Sequence, residues 1–217
     1  GAGKELFSDD NTEEDTINTN KLEAFASDGF TLGASPHGSV NSNTHTYVAW
    51  NWHVNGGTTS TNNDGDIQTT VQVNQKAGIS IITYTGTGTQ SDTVGHGLGV
   101  KPEWMIIKDR DTNSDGHWMV WHKSFSDLDN NLFWNLENAV NNAGFPSGSD
   151  PTTSTTFVPA TINYNNVNNN KYVAYLFSGV EGYSKFGSYG ASGTSDNDAP
   201  FVFTGFRPAF VMVKNTS

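Results

Sequence analysis

The feature that most constrains this chain is an internal repeat. Residues 99–108 read Gly-Val-Lys-Pro-Glu-Trp-Met-Ile-Ile-Lys, and residues 205–214 read Gly-Phe-Arg-Pro-Ala-Phe-Val-Met-Val-Lys. The two stretches lie 106 positions apart (205 − 99) and share a glycine, a basic residue, a proline, an apolar run and a lysine. Upstream, three further residues recur 105 positions apart (189 − 84): Tyr84, Gly88 and Thr89 match Tyr189, Gly193 and Thr194. Such self-similarity predicts tandem structural units of about 105 residues.

A second pair of matching segments indicates where the units begin and end. Tyr47-Val-Ala-Trp50 resembles Tyr172-Val-Ala-Tyr175, and its larger offset is explained by an additional stretch after residue 52. That stretch contains a Gly-, Thr- and Asn-rich linker over 55–65, and then one-sided polar–apolar alternation typical of an edge strand.

The repeat therefore divides the chain into four parts. Residues 1–56 are predicted to be the second half of a unit, 57–77 a linker and edge strand, 78–182 a complete unit, and 183–217 the first half of a unit. The two halves either pair within one chain or pair with those of a neighbouring chain, or else the chain is an excerpt of a longer repetitive protein. Unpaired halves would expose strand edges and apolar faces.

The predicted fold class is all-β, a jelly-roll-like β-sandwich. Short runs rich in β-branched and aromatic residues alternate with Gly, Asn, Asp and Pro clusters, as in sandwiches and barrels. The candidate strands are 47–52, 79–84, 103–108, 117–121, 155–159, 171–177, 201–203 and 209–214. The only helix candidate is an Asn-rich stretch near 127–142, where Leu128, Leu132 and Leu136 follow helical spacing.

Charge and composition exclude several classes of function. The formal net charge of −11 repels nucleic-acid phosphates and anionic lipids. There is no apolar run long enough to span a membrane, and no cysteine to form a disulfide framework. We therefore expect neither a nucleic-acid partner nor membrane insertion.

Several longer strings resemble a family of uncharacterised virion structural proteins from marine tailed phages. The matching strings are Ser27-Asp-Gly-Phe-Thr-Leu-Gly33, His96-Gly-Leu-Gly99, Asp115-Gly-His-Trp-Met-Val-Trp-His-Lys-Ser124, Val180-Glu-Gly-Tyr-Ser-Lys-Phe-Gly-Ser-Tyr189 and residues 200–214. The resemblance covers the chain from about residue 20 onward and implies a particle protein of the tail or virion surface, with no catalytic residues. Members of that family often carry cysteine where Asn51 and Leu176 stand here.

The best candidate metal site is a calcium-loop pattern formed by Asp109, Asp111, Asn113 and Asp115, followed by Gly116. Alternating side-chain oxygens before a glycine are the spacing of calcium loops. The glutamate expected at the twelfth position is replaced by His122. The alternative is a polar hairpin turn, since Asn, Asp and Gly favour turns in any case.

The tryptophans offer a second candidate site. Trp118, Trp121 and Trp134 are the predicted glycan contacts, because aromatic rings stack on sugars. Trp50 and Trp52 are instead predicted to lie in the core, because apolar residues recur at the matching positions of 172–177. The carboxylates near residue 109 are read as a solvated turn rather than a glycosidase pair.

Together these features predict a non-enzymatic virion module, in a tail fibre or surface appendage concerned with host attachment. The chain has neither a His-Glu-x-x-His motif nor a Gly-x-Ser-x-Gly elbow. Its expected partners are other virion proteins, copies of itself and a host surface glycan, and no cofactor is expected apart from calcium at the candidate loop. The alternatives are a carbohydrate-binding module of a secreted protein and a bacterial filament subunit joined head-to-tail.

Overall fold

The computed structural model describes residues 2–15, 21–34, 40–111, 116–137, 139–140, 145, 149–159, 164–191, 193 and 199–217. Within these residues the regular structure is almost entirely β, which confirms the predicted fold class. The strands are β1 (Leu22–Phe25), β2 (Phe30–Leu32), β3 (Ser60–Asn62), β4 (Thr69–Asn74), β5 (Ile79–Thr85), β6 (Val94–Gly95), β7 (Trp104–Asp109), β8 (Met119–His122), β9 (Leu132–Phe133), β10 (Thr156–Phe157) and β11 (Lys171–Phe177). One short 3₁₀ turn spans Asn55–Gly57.

The main sheet has seven antiparallel strands in the order β3-β4-β5-β11-β7-β8-β9. The strand latest in the sequence, β11, lies at its centre and pairs with β5 on one side and β7 on the other. Its sequence, Lys-Tyr-Val-Ala-Tyr-Leu-Phe, is apolar on both faces apart from the first residue. Such a run is typical of a strand that is covered on both sides.

The core lies on one face of this sheet. Tyr172, Ala174 and Leu176 of β11 point into it and are fully buried, together with Met105 and Ile107 of β7. A two-stranded sheet, β10–β6, covers this core face, since Phe157 and Val94 belong to the same buried cluster. The arrangement is consistent with a β-sandwich whose second layer is small.

The opposite face, called here the outer face, is covered by an N-terminal arm of residues 2–15. The indole N–H of Trp118 donates to the carbonyl of Phe7 at 2.7 Å, and Nζ of Lys108 donates to the carbonyl of Thr12 at 2.7 Å. The guanidinium of Arg110 donates to both carboxylate oxygens of Glu14, each at 2.8 Å. The arm therefore covers the part of the outer face around Trp118, Lys108 and Arg110.

Most central strands lie where the sequence predicts them. The structure places strands over 79–85, 104–109 and 171–177, each within about a residue of its predicted bounds. The runs 47–52, 201–203 and 209–214 are wrong predictions, because these described residues belong to no strand. A strand needs a hydrogen-bonded neighbour as well as a suitable sequence, and these segments have none within the described part of the chain.

The helix candidate near 127–142 does not form a helix in its described residues. Its described residues form turns around the short strand β9, which pairs with β8 at Leu132–Val120 and Phe133–Met119. Leu128 and Leu136 still pack against the core, but from an irregular segment. Asparagine disfavours helix interiors, so the strand pairing prevails over the leucine spacing.

Candidate functional site

The first two residues of the predicted calcium loop hold the strands together. Asp109 is buried, with one carboxylate oxygen accepting from the backbone N–H of Asp111 and the other from the side-chain amide of Asn170, both at 2.8 Å. Asp111 accepts from the backbone N–H of Lys171 at 2.9 Å, and Nζ of Lys171 lies 3.5 Å from the same oxygen. These bonds link the end of β7 to the start of β11.

The other two predicted ligands, Asn113 and Asp115, lie outside the described residues. Among the residues that are described, no group of three or more His, Cys, Asp or Glu side chains could hold a metal ion. The calcium site therefore stays a prediction.

Two of the three predicted glycan-binding tryptophans lie inside the body formed by the seven-stranded sheet and its core, called here the module. Trp121 is 1% exposed, and its indole N–H donates to the carbonyl of Leu128 at 2.8 Å. Trp118 lies under the N-terminal arm and stacks on Tyr175 with ring centroids 6.4 Å apart. Neither indole presents an open face to a sugar in this arrangement.

The third tryptophan, Trp134, is half-buried at the margin of an aromatic cluster on the outer face. The centre of this cluster is Trp104, whose ring stacks on Phe177 at 4.7 Å and lies 5.8 Å from Phe186 and 6.2 Å from Trp134. A glycan contact at Trp134 stays a prediction.

The most conspicuous surface of the molecule lies elsewhere, on residues 47–52 and 201–213. We call this the aromatic surface. It presents eleven large apolar side chains that are 44% to 88% exposed, among them Trp50, Trp52 and Phe201. The prediction that Trp50 and Trp52 lie in the core is therefore wrong. Soluble proteins rarely expose so much contiguous apolar surface unless it serves an interaction.

The two segments of the aromatic surface meet through side chains. The rings of Trp50 and Phe210 lie 6.1 Å apart in an edge-on arrangement. Lys185 stands over the ring of Phe203, 5.1 Å from its centroid, and donates to the Phe203 carbonyl at 2.9 Å. The surface is nearly uncharged, since Arg207 is the only charged residue in the two segments.

Both segments are tied to the module at one end. The side-chain amide of Asn74, at the end of β4, donates to the carbonyl of His53 at 3.1 Å. Nζ of Lys214 donates to the carbonyl of Leu136 at 2.6 Å, and the backbone N–H of Val140 donates to the carbonyl of Thr216 at 3.2 Å. The aromatic surface is thus placed by the sheet without being covered by it.

The comparison with known families gives one match. The model of a domain of unknown function, DUF7483, matches residues 1–217. The chain belongs to this family. No curated protein and no solved structure matches the chain. Because the family description carries neither an activity nor a location, the resemblance to phage virion proteins stays a prediction.

The structure of this DUF7483 member adds one buried charge that the sequence did not single out. Lys108 is fully buried, and its ammonium donates to the carbonyls of Thr12 and Asp109 at 2.7 Å and 2.6 Å. Burial lowers the pKa of Lys108, while the nearby Asp109 carboxylate acts in the opposite direction. The burial of Lys108 could be found from the sequence, because this lysine ends an apolar strand-forming run. A lysine buried with such a run needs hydrogen-bond acceptors inside the protein.

The titratable groups of the module are likewise engaged in structural contacts. Burial tends to raise the pKa of Glu14, but its hydrogen bonds with Arg110 and Lys4 prevail and lower it to about 2. Burial raises the pKa of Tyr172, whose hydroxyl accepts from the backbone N–H of Val167 at 3.0 Å.

Within the described residues, no helix is long and apolar enough to cross a membrane.

Proposed function

We propose that this chain is a non-enzymatic structural module of a bacteriophage virion, in a tail fibre or a surface appendage that contributes to host attachment. The observation that carries the proposal is the aromatic surface on residues 47–52 and 201–213. Its eleven exposed apolar side chains are more than an isolated domain keeps in water without a partner. Such a surface supports a role in assembly.

The rest of the molecule is suited to a mechanical role. The central strand β11 is paired along both edges and covered on both faces, so it provides a rigid frame. The ionisable groups in the frame, such as Lys108 and Asp109, are occupied by bonds between strands or with the N-terminal arm. Groups engaged in this way stabilise the fold rather than form a reactive centre.

The resemblance of the longer strings to phage particle proteins supplies the proposed location. The net charge of −11 agrees with a location on a particle, because a charged surface outside the aromatic surface resists nonspecific association in solution. The partners of the aromatic surface are then other virion proteins or further copies of the chain, and exposed loops are available for a host surface glycan.

The proposal is tested on purified particles of the phage that encodes the chain. Mass spectrometry is expected to detect the chain in density-purified virions at a constant ratio to the capsid protein. Antibodies against the chain are expected to label the tail or the particle surface in electron micrographs. A chain that is abundant in the infected-cell lysate but absent from purified particles would overturn the proposal.

A further inference from the structure

We propose that residues 47–52 of one chain pair as an antiparallel strand with residues 209–214 of a second copy. The proposal rests on the assembly role proposed above and names the partner as the chain itself. It is carried by three observations, namely a strand pair formed by the matching residues of the module, the lack of that pairing between the two segments of one chain, and the positions at which they are tied.

The complete module shows how these two kinds of segment pair. Residues 172–175 match 47–50, and residues 99–108 match 205–214. In the module the corresponding strands, β11 and β7, are adjacent and antiparallel. Three consecutive pairs of their register are Val173–Lys108, Ala174–Ile107 and Tyr175–Ile106.

Transferring this register by the two sequence offsets gives a definite pairing. It places Val48 opposite Lys214, Ala49 opposite Val213, and Trp50 opposite Met212. Ala49 and Val213 then correspond to Ala174 and Ile107, which face the core of the module and are fully buried. Because a shift by one residue moves every side chain to the other face, the register is a testable part of the proposal.

Within one chain this pairing is not formed. No backbone hydrogen bond among the described residues joins 47–52 to 209–214, although the rings of Trp50 and Phe210 meet at 6.1 Å. Val48 and Val213 remain 77% and 61% exposed. Strand-forming segments with free backbone edges are templates for pairing with another chain.

The ties of the two segments lie at widely separated places on the sheet. His53 is bonded to the end of β4, and Lys214 is bonded to Leu136, close to β9. These strands are five positions apart in the sheet order, which corresponds to about 24 Å at the usual strand spacing. A second copy brings its own 209–214 segment without this restriction.

The chemistry of the two segments fits association between identical chains. Residues 47–52 carry no charge and 209–214 carry only Lys214, so pairing brings no like charges together. The net charge of −11 opposes general self-association. Two copies can approach at the nearly uncharged strip formed by residues 47–52 and 209–214. Since every copy carries both segments, the pairing can be reciprocal in a dimer or continue from chain to chain.

Cysteine cross-linking tests both the partner and the register, because the chain has no cysteine of its own. The single variants Ala49→Cys and Val213→Cys are purified separately, mixed and oxidised. Opposed residues of paired strands are close enough for a disulfide. We expect a covalent dimer on a non-reducing gel in this mixture, at a yield several-fold above that of a mixture of Ala49→Cys with Ala209→Cys.

Ala209 is the matched control because it is exposed and lies four residues before Val213, on the same face of the expected strand. Equal yields with the two partners would overturn the register. The double variant Ala49→Cys/Val213→Cys tests the partner. A disulfide that forms only within single chains of this variant, with no dimer in the mixture, would overturn the proposal of a second copy.

A further variant separates this proposal from the proposed virion role. Val213→Asp places a charge in the strip, and we expect it to lower the association of the full chain measured by light scattering. If the chain is found in purified virions but neither cross-links nor associates, the partner of the strip is another protein and the present proposal fails. If the chains pair but are absent from virions, the proposed location fails instead.

Discussion

The motif Tyr-Val-Ala followed by an aromatic residue occurs twice in this chain, and its two copies have opposite environments. In β11 it is bonded on both edges, and Val173 is 7% exposed. At 47–50 it belongs to no strand, and Val48 is 77% exposed. A sequence favourable to a strand is therefore buried only where neighbouring strands are available.

The second repeated segment, 99–108 and 205–214, shows the same contrast between a buried and an exposed copy. Met105 of β7 is fully buried, whereas Val211, at the matching position 106 residues later, is 68% exposed (211 − 105). The first lies beside β11 and β8, and the second has no strand beside it within the described residues. Matched substitutions in the two copies therefore measure how much the neighbouring strands add to the contribution of one motif to the free energy of unfolding.

The largest expected difference is between Met105→Ala and Val211→Ala. Removing the buried side chain of Met105 leaves a cavity and is expected to lower the free energy of unfolding by about 2–5 kcal/mol. Val211→Ala, on the surface of the isolated chain, is expected to change it by less than about 0.5 kcal/mol. Urea unfolding at low protein concentration measures both. Equal losses would show that the C-terminal copy is already packed in a core.

The two matching lysines provide a second contrast of intermediate size. Lys108→Met removes the donor for the carbonyls of Thr12 and Asp109 and is expected to destabilise the fold by about 1–3 kcal/mol. Lys214→Met removes one bond of a half-buried side chain to Leu136, and a loss below about 1 kcal/mol is expected. The same unfolding experiment compares them. A larger loss for Lys214 would show that its segment is the better anchored of the two.

The smallest effect concerns the N-terminal arm of residues 2–15, which lies on the outer face of the main sheet. Glu14 of the arm bonds Arg110, and at the matching position of the C-terminal copy the residue is Thr216. The pKa of Glu14 is lowered to about 2 from an ordinary 4.5, so its contribution is present above pH 4.5 and is lost as the pH falls towards 2. Glu14→Gln is expected to cost about 1 kcal/mol at neutral pH.

The measurement is the free energy of unfolding of the wild type and Glu14→Gln between pH 7 and pH 2. The two curves are expected to converge below pH 4.5, whereas the exposed Glu181→Gln should follow the wild type throughout. Parallel curves for the Glu14 variant would show that the ion pair does not hold the arm on the sheet.

The central strands could be predicted from the sequence because their signal is local. The segments 79–84 and 171–177 are runs of β-branched and aromatic residues between turn-forming clusters, and both are strands in the structure. The leucines at 128, 132 and 136 show the limit of such local patterns. Their helical spacing is real, but the pairing of β9 with β8 uses Leu132 in a strand.

The burial of the tryptophans could not be predicted, because it depends on distant segments. Trp118 directly precedes β8 and Trp121 lies within it, on opposite faces of the sheet, and each is covered, the first by the N-terminal arm and the second by the core. Trp50 and Trp52 have similar neighbours in the sequence, yet they lie in the open. In each case the decisive contact joins residues far apart in the chain.

By itself, then, the sequence determined the all-β class, the positions of the central strands and the internal repeat, because the alternation and turn chemistry that specify them act between neighbouring residues. Only the tertiary structure decided which copy of each motif is buried. A side chain leaves water when another segment lies against it, and the residues of the motif do not say whether that segment is present.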